Sequence, residues 1–162
     1  SIFVFSNLML PHSSYIFGPN GEFVSHEKME ARWEGLENDK QGYLNQVKFA
    51  NKKLEQIITT IIDESTIPPI IIIQGDHGLK SKINDLNNPT NKEFHNRLSI
   101  INAYHIPTTN ELPYQNITPV NSFRVVFNEL FDEKLEILPN LNYWQYNEAP
   151  IFREVNSVFI EN

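Results

Sequence analysis

A chain of 162 residues holds one domain with a core of its own and is short for two. Its 40% hydrophobic and 20% charged residues are a globular balance, and 13 Lys and Arg against 20 Asp and Glu leave a net charge of -7, which argues against nucleic acid as a partner. The absence of cysteine excludes disulfides, a thiolate nucleophile and a Cys-based zinc knot, and locates the chain in no compartment.

The opening, Ser1 to Leu10, carries Ile2, Phe3, Val4 and Phe5 and predicts a strand, apolar on both faces, that stops at Pro11-His12. It has neither an initiator Met nor a signal-peptide layout, so the chain is expected to be cut from something larger. No apolar run approaches the roughly 20 residues that span a bilayer. Ser13 to Ser25, with Tyr15, Phe17 and Gly18-Pro19-Asn20-Gly21, reads as a surface loop folding over whatever His12 faces. Glu27 to Asp39 is polar apart from Met29, Trp33 and Leu36, at best a weakly anchored helix.

Tyr43 to Glu64 carries the clearest helical signal. Leu44, Val47, Ala50, Leu54, Ile57, Ile58, Ile61 and Ile62 form one stripe, with Lys48, Lys52, Lys53 and Glu55 mainly elsewhere on the wheel. Pro68-Pro69 forbids its continuation. Ile70 to Ile73 then predicts a strand covered on both faces, broken by Gly75-Asp76-His77-Gly78 into a sharp turn. Strand, helix and strand make a βαβ unit with parallel strands, which brings Pro11-His12 and Asp76-His77 to one rim of a sheet.

Leu79 to Arg97 is polar and Asn-rich and reads as a long excursion or lid. Leu98 to Ile106 predicts a third buried strand, stopped by Pro107. Thr118-Pro119 starts a helix continued by Val120, Phe123, Phe127, Leu130 and Phe131. The aromatic tail after Leu138 suggests one or two short edge strands. The fold expected from these elements is α/β, a mainly parallel sheet with helices on both faces.

Asp76 and His77 offer a hard and a borderline donor side by side, suited to zinc, manganese or magnesium; the plain alternative is an Asp-Gly type turn with a surface His. His12 follows a proline at a strand end, either functional or a capping histidine. His105 ends the third strand and is a candidate for the same rim or a structural residue. His95, beside Arg97 and with Lys80 and Lys82, is a candidate for meeting an anion or part of a solvated loop. His26 is incidental. Arg124 pairs with an acidic residue or an anion, and Asn102 inside a strand calls for a hydrogen-bond network.

Gly75-Asp76-His77-Gly78 after the isoleucine strand resembles the second metal-binding segment of the sulfatase and alkaline phosphatase superfamily. Leu10-Pro11-His12 with Tyr15-Ile16-Phe17 resembles its Pro-His segment, with Ser13 and Ser14 where prolines are usual. Ile101-Asn102-Ala103-Tyr104 and Ile117 to Arg124 look like its bacterial membrane-anchored branch, in which such a domain follows transmembrane helices, as in lipoteichoic acid synthases and phosphoethanolamine transferases. The resemblance runs from about Phe3 to Tyr146.

It implies an alkaline-phosphatase-like fold and metal-assisted transfer or hydrolysis at a sulfate or phosphate ester, on the periplasmic or extracellular face of a bacterial membrane. Asp76 and His77 become ligands of a divalent metal (Zn, Mn, Mg or Ca), and His12 binds substrate oxygens or protonates the leaving group. The family's nucleophile and first acidic ligand belong to an N-terminal part with no counterpart here. The chain is therefore expected to be the C-terminal part of a catalytic domain, inactive alone, with an anionic ester as substrate. Rival readings are a self-contained metallohydrolase using Asp76, His77, His12 and His105, and a non-catalytic binding module. An exposed sheet edge would favour a homo-oligomer.

Overall fold

The computed structural model describes residues 2–25, 27, 39–79, 85, 88–107, 114, 116–145 and 152–156. The weak helix expected over 27–39 lies outside them apart from its end residues, as do His26, Lys80 and Lys82. The chain divides into two compact units, Ser1–Thr66 and Ile67–Asn162.

In the first unit the apolar stripe forms α1, Lys40–Glu64, begun by Asp39, whose side chain accepts from the Gly42 amide. A helix needs such an acceptor because its first amides have no intrahelical partner. Two Pro residues follow the end of α1 at 68 and 69. Residues 16–24 form a small antiparallel turn, closed by amide donations from Gly18 to Glu22 and from Val24 to Ile16. Gly21 stands at its tip with φ 90, where a side chain would be strained. This turn packs on the first half of α1: Tyr15 meets Tyr43 edge-on, and Phe17 lies 4.9 Å from Phe49. Further along, Ile57, Ile61 and Ile62 remain exposed.

The second unit holds two antiparallel pairs among the described residues. β1, Ile71–Gln74, pairs with β2, Asn102–His105, with Ile71 opposite His105 and Gln74 opposite Asn102. Between them lies α2, Asn91–Leu98, opened by a full capping box of Thr90 and Glu93. α3, Pro119–Phe131, buries Asn121, Ser122, Val125 and Val126. Ser122 touches both strands, accepting from Gln74 Nε2 at 2.8 Å and meeting the Tyr104 hydroxyl at 2.5 Å. β3, Tyr143–Gln145, and β4, Phe152–Glu154, form the second pair, and Trp144 packs edge-on to Phe94 of α2.

This overturns the expected mainly parallel sheet with helices on both faces. The βαβ reading required residues 2–9 to pair with β1; they have no regular structure, and Ile2, Phe3, Val4 and Phe5 are exposed. β1 pairs antiparallel with β2. Its isoleucines are half-buried, so the run that suggested a doubly covered parallel strand reports β-branched propensity more than burial. No helix among the described residues is long and apolar enough to cross a membrane.

Candidate functional site

The Asp-His segment leaves β1 without the sharp turn expected of Gly75. Gly75 donates its amide to the Ile101 carbonyl at 2.9 Å, extending the ladder by one bond, and its φ is not positive. Gly78 is the constrained glycine. Its amide donates to the Arg97 carbonyl at 2.7 Å, and a Cβ there would fall on the carbonyl oxygens of Asn96 and Ser99. The last turn of α2 thus closes directly on the backbone of the segment.

His77 is held between these two elements. Its side chain is 32% exposed, whereas that of Asp76 is 91% exposed. His77 Nε2 lies 3.7 Å from Asp76 Oδ2, too long for a hydrogen bond. Two donors on one tetrahedral metal, each about 2.0–2.1 Å from it, stand roughly 3.4 Å apart. The pair therefore fits two positions of a divalent ion with a shift of a few tenths of an ångström. Among the described residues no group of three or more His, Asp or Glu comes together. Two donors are fewer than a zinc site requires.

On the other side of the ring, Nδ1 has two neighbours: the Gly78 carbonyl at 2.8 Å and Arg97 Nη1 at 2.9 Å. A carbonyl only accepts and a guanidinium only donates. Nδ1 therefore satisfies one of them at a time. Sequence spacing pointed to His95 with Arg97 as a neighbour; the structure puts Arg97 on His77, while His95 Nδ1 meets Ser99 Oγ at 3.2 Å. No sequence signal ties Arg97 to His77 across 20 positions; α2 does so by closing on Gly78.

His105 does not join them. The antiparallel register places it opposite Ile71, at the start of β1, while Asp76 and His77 follow its end. Three steps of a strand already separate the two ends by about 10 Å. That removes the four-residue metallohydrolase built on His105.

His12 belongs to the other unit, and its surroundings are described there. It is exposed, its carbonyl accepts from Gln46 Nε2 at 2.7 Å, and its Nδ1 contacts the Ser13 carbonyl. Gln46, fully buried on α1, also accepts from the Phe17 amide at 3.2 Å. It therefore fixes the chain on both sides of Ser13-Ser14. Beside His12 opens a cleft of about 400 Å³ walled largely by Leu8, Met9, Leu10, Ile16 and Phe17, with no Lys or Arg in its lining.

Arg124 and Asn102 are structural. Arg124 Nη1 donates to the Glu136 carbonyl, and Asn102 links Gln74 Nε2 to the Ile117 carbonyl.

Comparison with known proteins adds no family: no family model, no curated protein and no solved structure matches the chain.

Proposed function

We propose that Asp76 and His77 are half of a divalent-metal centre in a sulfatase-like hydrolase or transferase of phosphate or sulfate esters. The observation that carries this reading is the approach of Asp76 Oδ2 to His77 Nε2, with Nδ1 of the ring 2.8 Å from the Gly78 carbonyl. A histidine ligand is oriented by whatever its second nitrogen meets, commonly a backbone carbonyl. The Gly78 carbonyl is placed for that role.

A bound divalent ion would lower the pKa of an attacking hydroxyl and neutralise charge on the ester oxygens. Two ligands are too few, so the remaining ligands and the nucleophile come from outside the described residues, in this proposal from an N-terminal part of the same polypeptide. The resemblance would give His12 the binding of ester oxygens or protonation of the leaving group; within its own unit it is exposed, with its carbonyl accepting from Gln46. A parent anchored at the outer face of a bacterial membrane belongs to the same reading.

Calorimetric titration of zinc and manganese into the full chain and into His77→Ala tests it. The expected result is weak one-site binding, reduced about tenfold or more in the variant, with no esterase activity. Binding that His77→Ala leaves unchanged, or no binding to the chain in the presence of its N-terminal partner segment, overturns the metal centre and leaves a non-catalytic module.

A further inference from the structure

We propose that the C-terminal half of α1 is a dimerisation surface, on which the α1 of a second copy of this chain packs antiparallel. The surface involves neither Asp76 nor His77 and is independent of the metal reading.

α1 is amphipathic along its whole length but buried along only part of it. Gly42, Gln46 and Ala50 are its buried residues, all in the first half, and nothing after Ala50 is buried. The apolar stripe nevertheless continues through Leu54, Ile57, Ile58, Ile61 and Ile62. At 3.6 residues per turn these five fall within about 140° of the helix circumference, the width with which a helix faces a core. Leu54 and Ile58 are half-buried, while Ile57, Ile61 and Ile62 are 39–45% exposed. From Leu54 to Glu64 this face runs for roughly 16 Å.

Charge identifies the occupant. Lys53 stands on one flank of the stripe, and Glu64, about three turns further on, stands on the same flank. Lys53 reaches Gln56 at 3.1 Å and lies over the Phe49 ring, and neither contact neutralises it. Asp63 and Glu64 close the helix with no basic residue in its last turn, and among the described residues neither pairs with a Lys or Arg. Carboxylates at the negative end of a helix are unfavourable, so this end calls for a cation from outside the helix. A second α1 running antiparallel supplies it. With the twofold axis beside Ile58, each Lys53 meets Glu64 of the second copy. Leu54 then faces the second copy's Ile61 and Ile62, and Ile57 and Ile58 meet across the axis. Parallel packing would instead set Lys53 against Lys53 and Glu64 against Glu64. Exposed ion pairs contribute little, so the isoleucines supply the affinity and the charges set the direction. The contact is isologous and closes at two copies. So short a face gives a small interface and a weak dimer, with a Kd of about 10–100 µM.

The test is sedimentation equilibrium on the full chain carrying Val4→Lys and Phe5→Glu, which charge the exposed 2–5 run and leave α1 untouched. A monomer–dimer equilibrium is expected. Ile61→Asp should weaken it at least about tenfold, since a carboxylate is then buried without a partner. Lys53→Glu should weaken it about twofold to fivefold, and adding Glu64→Lys should restore it. Far-UV circular dichroism checks that each variant keeps its helices. Direction is read by oxidative cross-linking in a chain that has no cysteine of its own. Leu54→Cys mixed with Ile61→Cys should cross-link, whereas Leu54→Cys alone should not, because antiparallel packing holds its two copies roughly 13 Å apart along the axis. A monomer at every concentration overturns the proposal and leaves the face to a different partner. A dimer that Ile61→Asp leaves intact overturns it and places the contact elsewhere. Leu54→Cys cross-linking to itself overturns the antiparallel arrangement.

Discussion

At the scale of single residues the Asp-His segment depends on a glycine for a reason its sequence does not announce. Gly78 is backed by the carbonyl oxygens of Asn96 and Ser99, which occupy the space a Cβ needs. Alanine there forces the last turn of α2 away from the segment, breaking the amide donation to Arg97. Such overpacking costs about 1–3 kcal/mol. Gly78→Ala is thus expected to lower the melting temperature and to weaken zinc binding together, because His77 loses the carbonyl behind it. Gly75→Ala is the contrasting case. A Cβ at Gly75 meets only ordinary contacts, 3.4 Å to Ile101 and beyond, so melting and zinc affinity are expected to stay near wild type. Thermal melts and zinc calorimetry on the two variants distinguish close approach at Gly78 from conformational freedom at Gly75.

At the scale of elements, α3 is held by polar side chains as much as by its apolar stripe. Asn121, Arg124 and Asn128 recur at helical spacing and bind the chain that runs back along the helix. Asn121 exchanges hydrogen bonds with both the amide and the carbonyl of Leu138, Arg124 donates to Glu136, and Asn128 pairs with Leu135. Asn121 is fully buried and also meets Asn140 and the Tyr114 hydroxyl, so its amide is satisfied on every side. Asn121→Ala leaves the Leu138 amide and carbonyl without these partners, a loss of roughly 1–3 kcal/mol. Hydrogen exchange at the Leu138 amide is expected to accelerate while the β1–β2 amides stay protected. Equal acceleration at both would show that the strap is not a separate cooperative element.

The same scale shows which elements the sequence made legible. α1 and α3 were readable because an amphipathic stripe, the Pro68-Pro69 stop and the Thr118-Pro119 start all point the same way. α2 lies inside the stretch that reads as a polar excursion, although Thr90 and Glu93 stand at capping-box spacing and their reciprocal bonds are present. The antiparallel pairing of β1 with β2 is not legible in sequence, because β-branched runs do not state their partners. Asp76 and His77 were legible as neighbours in sequence; the contact of Arg97 with His77 depends on how α2 returns to Gly78, which no local pattern encodes.

At the scale of the whole molecule, much apolar surface remains uncovered. Ile2, Phe3, Val4 and Phe5 are 76–92% exposed, and among the described residues β1 and β2 form a two-stranded sheet. Among the described residues each strand pairs on one side, and an unpaired row of amides and carbonyls templates further pairing. Burying such a run contributes about 1.5–3 kcal/mol per large side chain. The isolated chain is therefore expected to self-associate, with sedimentation velocity showing a concentration-dependent shift to larger species. Two outward charges, Val4→Lys with Phe5→Glu, should reduce this association while leaving the helical circular dichroism of α1 unchanged. A charge at Ile71 or Ile73 would test the strand edge separately. Association that survives both changes would move the sticky surface to the exposed Ile57, Ile61 and Ile62 face of α1.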